Sequence, residues 1–199
     1  MSKSTKWFFA IISILTLFGL GFALLFYSFF KSVGDNSKEV VTIGRGDKLA
    51  VVELVGVIMS SEDVVRQLKK YRDDTSIKGI LLRVDSPGGA VVPSQEMYEE
   101  VKKTREKKPV IVSMGSLAAS GGYYVSVGAT RLVANRGTLT GSIGVISEFL
   151  QLQEAMSKLG VDVKTIKSGK LKAAGSSTKK MNEEEEKYFQ ELMDDVHQQ

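Results

Sequence analysis

The order of short apolar runs and helical segments constrains the fold of this 199-residue chain more than any other feature. From Leu49 onward, runs rich in β-branched residues alternate with segments that open on helix-start signals such as Ser61 and Pro93. This alternation is typical of an α/β fold with a largely parallel sheet. The predicted strands are 49–58, 77–85, 109–115, 131–134, 143–146 and 161–166. The predicted helices are 61–74, 93–107, 150–160 and 182–196, and a further short helix begins near Ser120.

The N-terminus carries an uncharged run, residues 7–30, between Lys6 and Lys31. As a helix its 24 residues would reach about 36 Å, enough to cross a hydrocarbon core of about 30 Å. The run therefore predicts an uncleaved transmembrane anchor; a cleaved signal peptide is the alternative, although the run is long for one. Because Lys3 and Lys6 precede the run, the positive-inside rule predicts a cytoplasmic tail and an extracytoplasmic globular part.

These segments divide the chain into three parts. Residues 1–30 form the predicted cytoplasmic tail and anchor of a single-pass cell-membrane protein, and the polar residues 31–47 form a linker. Residues 48–199 form one domain, since a chain of this length supplies one sizeable core.

Composition excludes several classes of function. The chain has no cysteine, which excludes thiol nucleophiles and thiolate metal sites. Its one histidine, His197, is third from the end, which disfavours a Ser–His–Asp triad and excludes histidine metal clusters. The net charge is only +4 and no basic block is interleaved with aromatic residues, so we expect no nucleic-acid partner.

Four glycine-containing turns follow predicted strands: "SPGG" at 86–89, "SGG" at 120–122, "TGSIG" at 140–144 and "SGK" at 168–170. In open α/β sheets, ligands bind at the carboxyl ends of strands, where such turns lie. A phosphate-binding loop is disfavoured because neither G-x-x-x-x-G-K-[ST] nor G-x-G-x-x-G occurs.

Acyl transfer fits these turns better. Ser120, at a strand-to-helix turn among small residues, would expose its hydroxyl as a nucleophile, although small residues also suit plain packing against a sheet. The Gly121 N–H and the Gly88–Gly89 turn could donate to an oxyanion. Without a suitable histidine, the base would be a lysine made neutral by burial, Lys170 or Lys172; the alternative is that both belong to a solvated basic loop.

Four motifs, in this order and spacing, resemble the signal peptide peptidase A (protease IV) family: "LLRVDSPGGAVVPSQEMYEEV", "MGSLAASGGYYVSVGA", "TLTGSIGVI" and "IKSGKLKAAGS". Members of that family are membrane-bound bacterial serine proteases with a Ser–Lys dyad. The resemblance runs from about Leu49 to Val196. It implies a fold similar to Clp protease and crotonase, a spiral of β-β-α units after one N-terminal transmembrane helix.

Carried over by motif, the resemblance implies five site residues. Ser120 would be the nucleophile, Lys172 the general base, and Ser142 the hydroxyl that orients the lysine. Gly89 and Gly121 would form the oxyanion hole. No metal and no cofactor is implied. Lys170 falls at a variable surface position, and Asp85 stands where the family has asparagine or a similar residue.

The implied function is a membrane-anchored serine endopeptidase that hydrolyses remnant signal peptides and similar hydrophobic peptides. Its expected partners are peptide substrates, the lipid bilayer and further copies of itself in a homo-oligomer. Family members usually continue further, so the resemblance also implies that the domain of residues 48–199 is C-terminally truncated. The alternatives are a catalytically silent membrane scaffold and a crotonase-like acyl-CoA enzyme.

Overall fold

The computed structural model describes residues 16–18, 20–21, 40–42 and 48–199. Residues 40–42 and 48–199 form five helices and six strands. The strands are β1 (Val40–Thr42), β2 (Lys48–Val55), β3 (Ile77–Ser86), β4 (Val110–Ala119), β5 (Arg131–Val133) and β6 (Leu139–Gly141). The helices are α1 (Glu62–Asp73), α2 (Val91–Arg105), α3 (Gly121–Val127), α4 (Gln153–Lys158) and α5 (Glu183–Gln198).

The six strands form one sheet in the order β1-β2-β3-β4-β5, and β6 also pairs with β4. The edge strand β1 runs antiparallel to β2, whereas every other pair is parallel. The prediction of a parallel-sheet α/β fold is therefore confirmed. Parallel strands direct their carboxyl ends to one edge, and the turns after β3, β4 and β6 meet there.

The hydrophobic core packs helices α1 to α3 against the central strands. Leu82 of β3 and Val112 of β4 are fully buried, as are Leu68 of α1 and Val101 of α2. The prediction of helices at 61–74 and 93–107 is confirmed within a few residues, because each segment presents apolar side chains to the sheet.

Two predicted strands are wrong. Residues 143–146 and 161–166 form no strand, and the short strand of this region is β6, which lies just before the first of them. Ile143, Ile146 and Ile166 are 71%, 85% and 90% exposed. Their apolar runs therefore have no neighbouring strand in the described part of the chain with which to pair, so composition alone misassigned them.

The N-terminal prediction lies mostly beyond what the structure describes. Of the predicted anchor at 7–30, only residues 16–18 and 20–21 are described, and they are helical and exposed. Among the described residues, no helix is long and apolar enough to cross a membrane. Val40–Thr42, which we predicted as part of the linker 31–47, forms strand β1 instead.

Candidate active site

Ser120 occupies the one-residue turn between β4 and α3. Its backbone has φ 50° and ψ −121°, which is a strained conformation for a residue with a Cβ. The Ser120 N–H donates to the Gly141 carbonyl at 2.8 Å, and the Ser120 carbonyl accepts from the Tyr124 N–H at 2.8 Å. Both backbone groups are thus fixed, and strain of this kind clusters at functional sites.

The Gly88–Gly89 turn packs directly against Ser120. A Cβ on Gly88 would lie 2.6 Å from the Gly121 nitrogen and 2.8 Å from the Ser120 Cβ, so only glycine permits this approach. A Cβ on Gly89 would lie 2.2 Å from the Ile58 carbonyl oxygen. The Ser86 hydroxyl accepts from the Gly88 N–H at 3.1 Å and holds the turn in place.

Two backbone N–H groups here have no acceptor among the described residues. Gly121 is the first residue of α3, where helix geometry leaves the N–H unpaired. Residues 48–199 also hold no acceptor for the Gly89 N–H. The Ile58 N–H donates to the Gly88 carbonyl and the Ile58 carbonyl accepts from the Ala90 N–H, so Ile58 bonds to the residues on either side of Gly89. Unpaired N–H groups beside a hydroxyl are suited to stabilise an oxyanion.

A cavity of about 380 Å³ opens beside Ser120. Its lining is mostly apolar and includes Val91, Tyr123, Tyr124, Val127, Ile143, Val145 and Ile146. The Tyr124 ring stacks on Tyr98 with the ring centroids 4.7 Å apart. Burial, and then the nearby Tyr98, raises the pKa of the Tyr124 phenol, so this group stays neutral at neutral pH. The cavity therefore suits an apolar side chain.

Ser142 lies at the same edge of the sheet. Gly141 of β6 pairs with Ala119 of β4, and Ser142 and Ser120 are the residues that directly follow these two. Ser142 also has a positive φ, 53°, and it is exposed. The structure thus brings together Ser120, Gly121 and Gly89, and it places Ser142 next to them in the chain pairing but outside the cavity lining.

Lys172 is not part of this group. It lies in the turn of residues 170–175, is exposed, and does not line the cavity. Within residues 48–199, no hydrogen bond or ion pair joins it to Ser120 or Ser142. Lys170 pairs with Glu184 at 2.8 Å on the surface, with 78% of its side chain exposed. The assignment of Lys172 as the base stays a prediction.

Ser94 and His197 are among the cavity-lining residues that sequence reasoning missed. Ser94, in the first turn of α2, is buried; a Cβ on Gly121 would lie 2.4 Å from its Oγ, so this contact requires glycine at 121. His197, which we set aside as terminal, lies in the last turn of α5 and also lines the cavity. Ser94 follows the "SPGG" turn closely in sequence, whereas no local signal could connect His197 to Ser120.

Comparison with known proteins identifies a peptidase region. The model of peptidase family S49 matches residues 102–199, a segment that includes Ser120, Ser142 and Lys172. A putative protease of Synechocystis sp. is 40% identical over 153 residues, which are 76% of this chain and 55% of the relative. A putative signal peptide peptidase SppA of Enterococcus faecium is 42% identical over 133 residues, 66% of this chain and 39% of the relative. The chain spans about half the length of the first of these relatives, and less of the second.

Two of the solved structures to which parts of this chain are similar are proteases. A membrane protease of Pyrococcus horikoshii specific for a stomatin homolog is 23% identical, with a TM-score of 0.39 over 46% of this chain and 47% of that one. ClpP1 of Listeria monocytogenes is 26% identical, with a TM-score of 0.36 over 40% of this chain and 46% of that one. The fold assignment rests on the parallel strand pairing itself. The matched region, which includes Ser120, Ser142 and Lys172, shows that residues 102–199 of this chain belong to peptidase family S49.

Proposed function

We propose that the chain is a serine endopeptidase with Ser120 as its nucleophile. The observation that carries the proposal is the strained Ser120 turn, which packs against Gly88 and opens on an apolar cavity. A hydroxyl held this way, with the unpaired N–H groups of Gly89 and Gly121 beside it, has two of the three parts that peptide hydrolysis needs.

The third part is a base, and we assign it to Lys172. Neutral Lys172 takes the Ser120 hydroxyl proton while the Ser120 oxygen attacks the peptide carbonyl. The Gly89 and Gly121 N–H groups stabilise the oxyanion, and the protonated lysine then gives its proton to the leaving amine. Water hydrolyses the acyl-enzyme with the same base, and the Ser142 hydroxyl orients the lysine. No metal or cofactor takes part in these steps.

A lysine acts as a base only when it is neutral, and burial is what lowers its pKa. Lys172 is exposed in the single chain, so another surface has to cover it. We propose that a second copy of the chain does so in a homo-oligomer. The exposed isoleucines at 143, 146 and 166 support this, because they leave apolar surface to be covered near the end of β6 and beyond it.

The proposed substrates are hydrophobic peptides, with remnant signal peptides foremost. The apolar lining of the cavity supports an apolar side chain at the cleavage site. The name of the Enterococcus faecium relative, a putative signal peptide peptidase, supports the signal-peptide class. The uncharged run at 7–30 supports a membrane anchor that holds the domain on the extracytoplasmic side, close to peptides left in the bilayer.

Covalent labelling tests the proposal on the whole chain. We expect a fluorophosphonate to add one mass increment at Ser120, and hydrolysis of an apolar peptide to stop with it. Ser120→Ala should lose the label and at least about 10³-fold in kcat. Ser157→Ala, on the exposed side of α4, is the matched control and should keep both. Labelling at another residue with full activity would refute the assignment. If the unaltered chain is not labelled and does not hydrolyse the peptide, that result would favour a silent scaffold.

A further inference from the structure

The strand that delivers Ser120 contains an irregular segment opposite Asp85. Val84 pairs with Met114, and the next recorded pair is Ser86 with Ala118. Over this interval β3 advances by two residues and β4 by four. Asp85 on β3 therefore faces three residues of β4, Gly115 to Leu117, in a bulge.

The Asp85 carboxylate fills this bulge. Its Oδ1 accepts from the Leu117 N–H at 3.0 Å, which satisfies a backbone donor that the strand pairing leaves free. A Cβ on Gly115 would lie 2.6 Å from the Asp85 Cγ and 2.7 Å from its Oδ2. Glycine at 115 is thus what makes room for the carboxylate.

Two threonines hold the other side of the bulge. The Thr138 hydroxyl donates to the Gly115 carbonyl at 2.8 Å, and the Thr140 hydroxyl donates to the Ala118 carbonyl at 2.7 Å. Across the bulge β4 also changes its partner, because residues 111–113 pair with β5 and residues 117–119 pair with β6. The bulge therefore sets the register of the last three residues before Ser120.

That register decides what Ser120 faces. With β4 in its observed register, Ala119 pairs with Gly141 and the Ser120 N–H bonds to the Gly141 carbonyl. The same register sets Ser120 and the Gly121 N–H against Gly88. We propose that Asp85 is a positioning residue for the nucleophile: its carboxylate holds the bulge and thereby the placement of Ser120 and of the Gly121 N–H. Only the expected effect on catalysis rests on the proposed function; the role of Asp85 in holding the bulge does not.

Substitution of Asp85 provides the first test, in the whole chain. Asp85→Ala leaves the Leu117 N–H without an acceptor, so we expect kcat and the rate of fluorophosphonate labelling to fall roughly 10-fold to 100-fold, while KM changes less than about 3-fold. Asp85→Asn should recover activity to within about 3-fold, because its side-chain carbonyl can accept the same N–H. Asp63→Ala, on the exposed face of α1, is the matched control and should leave kcat unchanged.

Gly115→Ala tests the same contact from the other strand. We expect a similar loss in kcat, because the added Cβ would overlap the carboxylate. In the Asp85→Ala background the added Cβ has more room, so the two losses should be less than additive. Should Asp85→Ala fail to fold, Gly115→Ala still tests the proposal if its melting temperature is unchanged. A fall in its kcat supports the positioning role of Asp85, and a full kcat overturns it.

Amide hydrogen exchange at Leu117 separates this inference from the proposed function. Asp85→Ala should speed exchange at Leu117 at least 10-fold while leaving the amide of Val112, in the regular part of β4, unchanged. Loss of activity in Ser120→Ala together with full kcat in Asp85→Ala would overturn the positioning role and leave the peptidase standing. If Ser120→Ala stays active, the proposed function fails, and the Leu117 exchange alone supports or overturns the role of Asp85.

Discussion

Residues 48–141 and residues 142–199 of this chain differ sharply in how they are packed. Every buried apolar residue of the described chain lies between Ala50 and Ala129. In residues 142–199 the one buried residue is a charged one, Glu185. The same stretch exposes large apolar side chains, among them Ile146 at 85% and Ile166 at 90%.

This difference separates the parts of the candidate active site. The proposed nucleophile Ser120 and the two proposed oxyanion donors, Gly89 and Gly121, belong to the packed region, where backbone contacts fix them. The proposed base Lys172 and its orienting hydroxyl, Ser142, belong to the open region. A single copy of the chain thus holds a built half-site, and we propose that a second copy completes it.

Lys172 gives the largest expected effect and tests this division directly. Lys172→Ala and Lys172→Arg should each lower kcat at least about 10³-fold, the arginine variant because its guanidinium does not lose its proton. Lys170→Ala, two residues away and paired with Glu184 on the surface, is the matched control and should stay active.

An exchange of roles between Lys172 and His197 would break the division. If His197→Ala is inactive and Lys172→Ala is active, the base lies in α5 beside the cavity and a single copy suffices.

Mixing Ser120→Ala with Lys172→Ala protein should restore part of the activity in mixed oligomers, since an intact serine then meets an intact lysine. An active monomer would remove the need for a second copy.

Core substitution is expected to have a smaller effect and sharpens the comparison in terms of stability. Leu82→Ala removes a fully buried side chain from the central strand and should lower the free energy of unfolding by about 2–5 kcal/mol. Ile166→Ala should change the stability of the monomer by less than about 0.5 kcal/mol, because its side chain is 90% exposed. Chemical denaturation of both variants measures this, and an equal loss in the two would show that residue 166 is packed in solution.

The packed region was largely predictable from the sequence. In the open region the predicted helices at 150–160 and 182–196 are confirmed as α4 and α5, whereas the two predicted strands are wrong. Apolar strands that alternate with helical segments identify β2, β3, β4, α1 and α2, because each buries its own apolar face within the chain. The runs at 143–146 and 161–166 have the same composition, yet composition does not reveal whether a pairing strand exists. The turn at Ser120 was predicted from its small neighbours. The bulge opposite Asp85 was not, since it depends on contacts between strands.

Glu185, the buried residue of the open region, gives the smallest expected effect. Its carboxylate is paired with the Lys179 ammonium and accepts from the Asn182 N–H, while the Asn182 side chain accepts from the Glu185 N–H at 2.9 Å, so the start of α5 is a capping box. The hydrogen bond from Lys179, followed by that from the Asn182 backbone, holds the pKa of Glu185 below its usual range despite the opposing effect of burial.

A carboxyl with a lowered pKa in the folded state stabilises that state fully above its unfolded pKa of about 4.3, and this contribution is lost as the pH falls through the lower folded pKa. Glu185→Gln keeps an oxygen for the Asn182 N–H and removes the charge. At pH 7 the melting temperature of the variant should therefore be lower than that of the unaltered chain. Once the pH is below the folded pKa, the two melting temperatures should be equal. Glu186→Gln, exposed in the same turn, is the control and should show no such convergence. Melting followed by circular dichroism between pH 2 and 7 measures both. A difference between Glu185→Gln and the unaltered chain that does not change with pH would show that the ion pair with Lys179 does not stabilise α5.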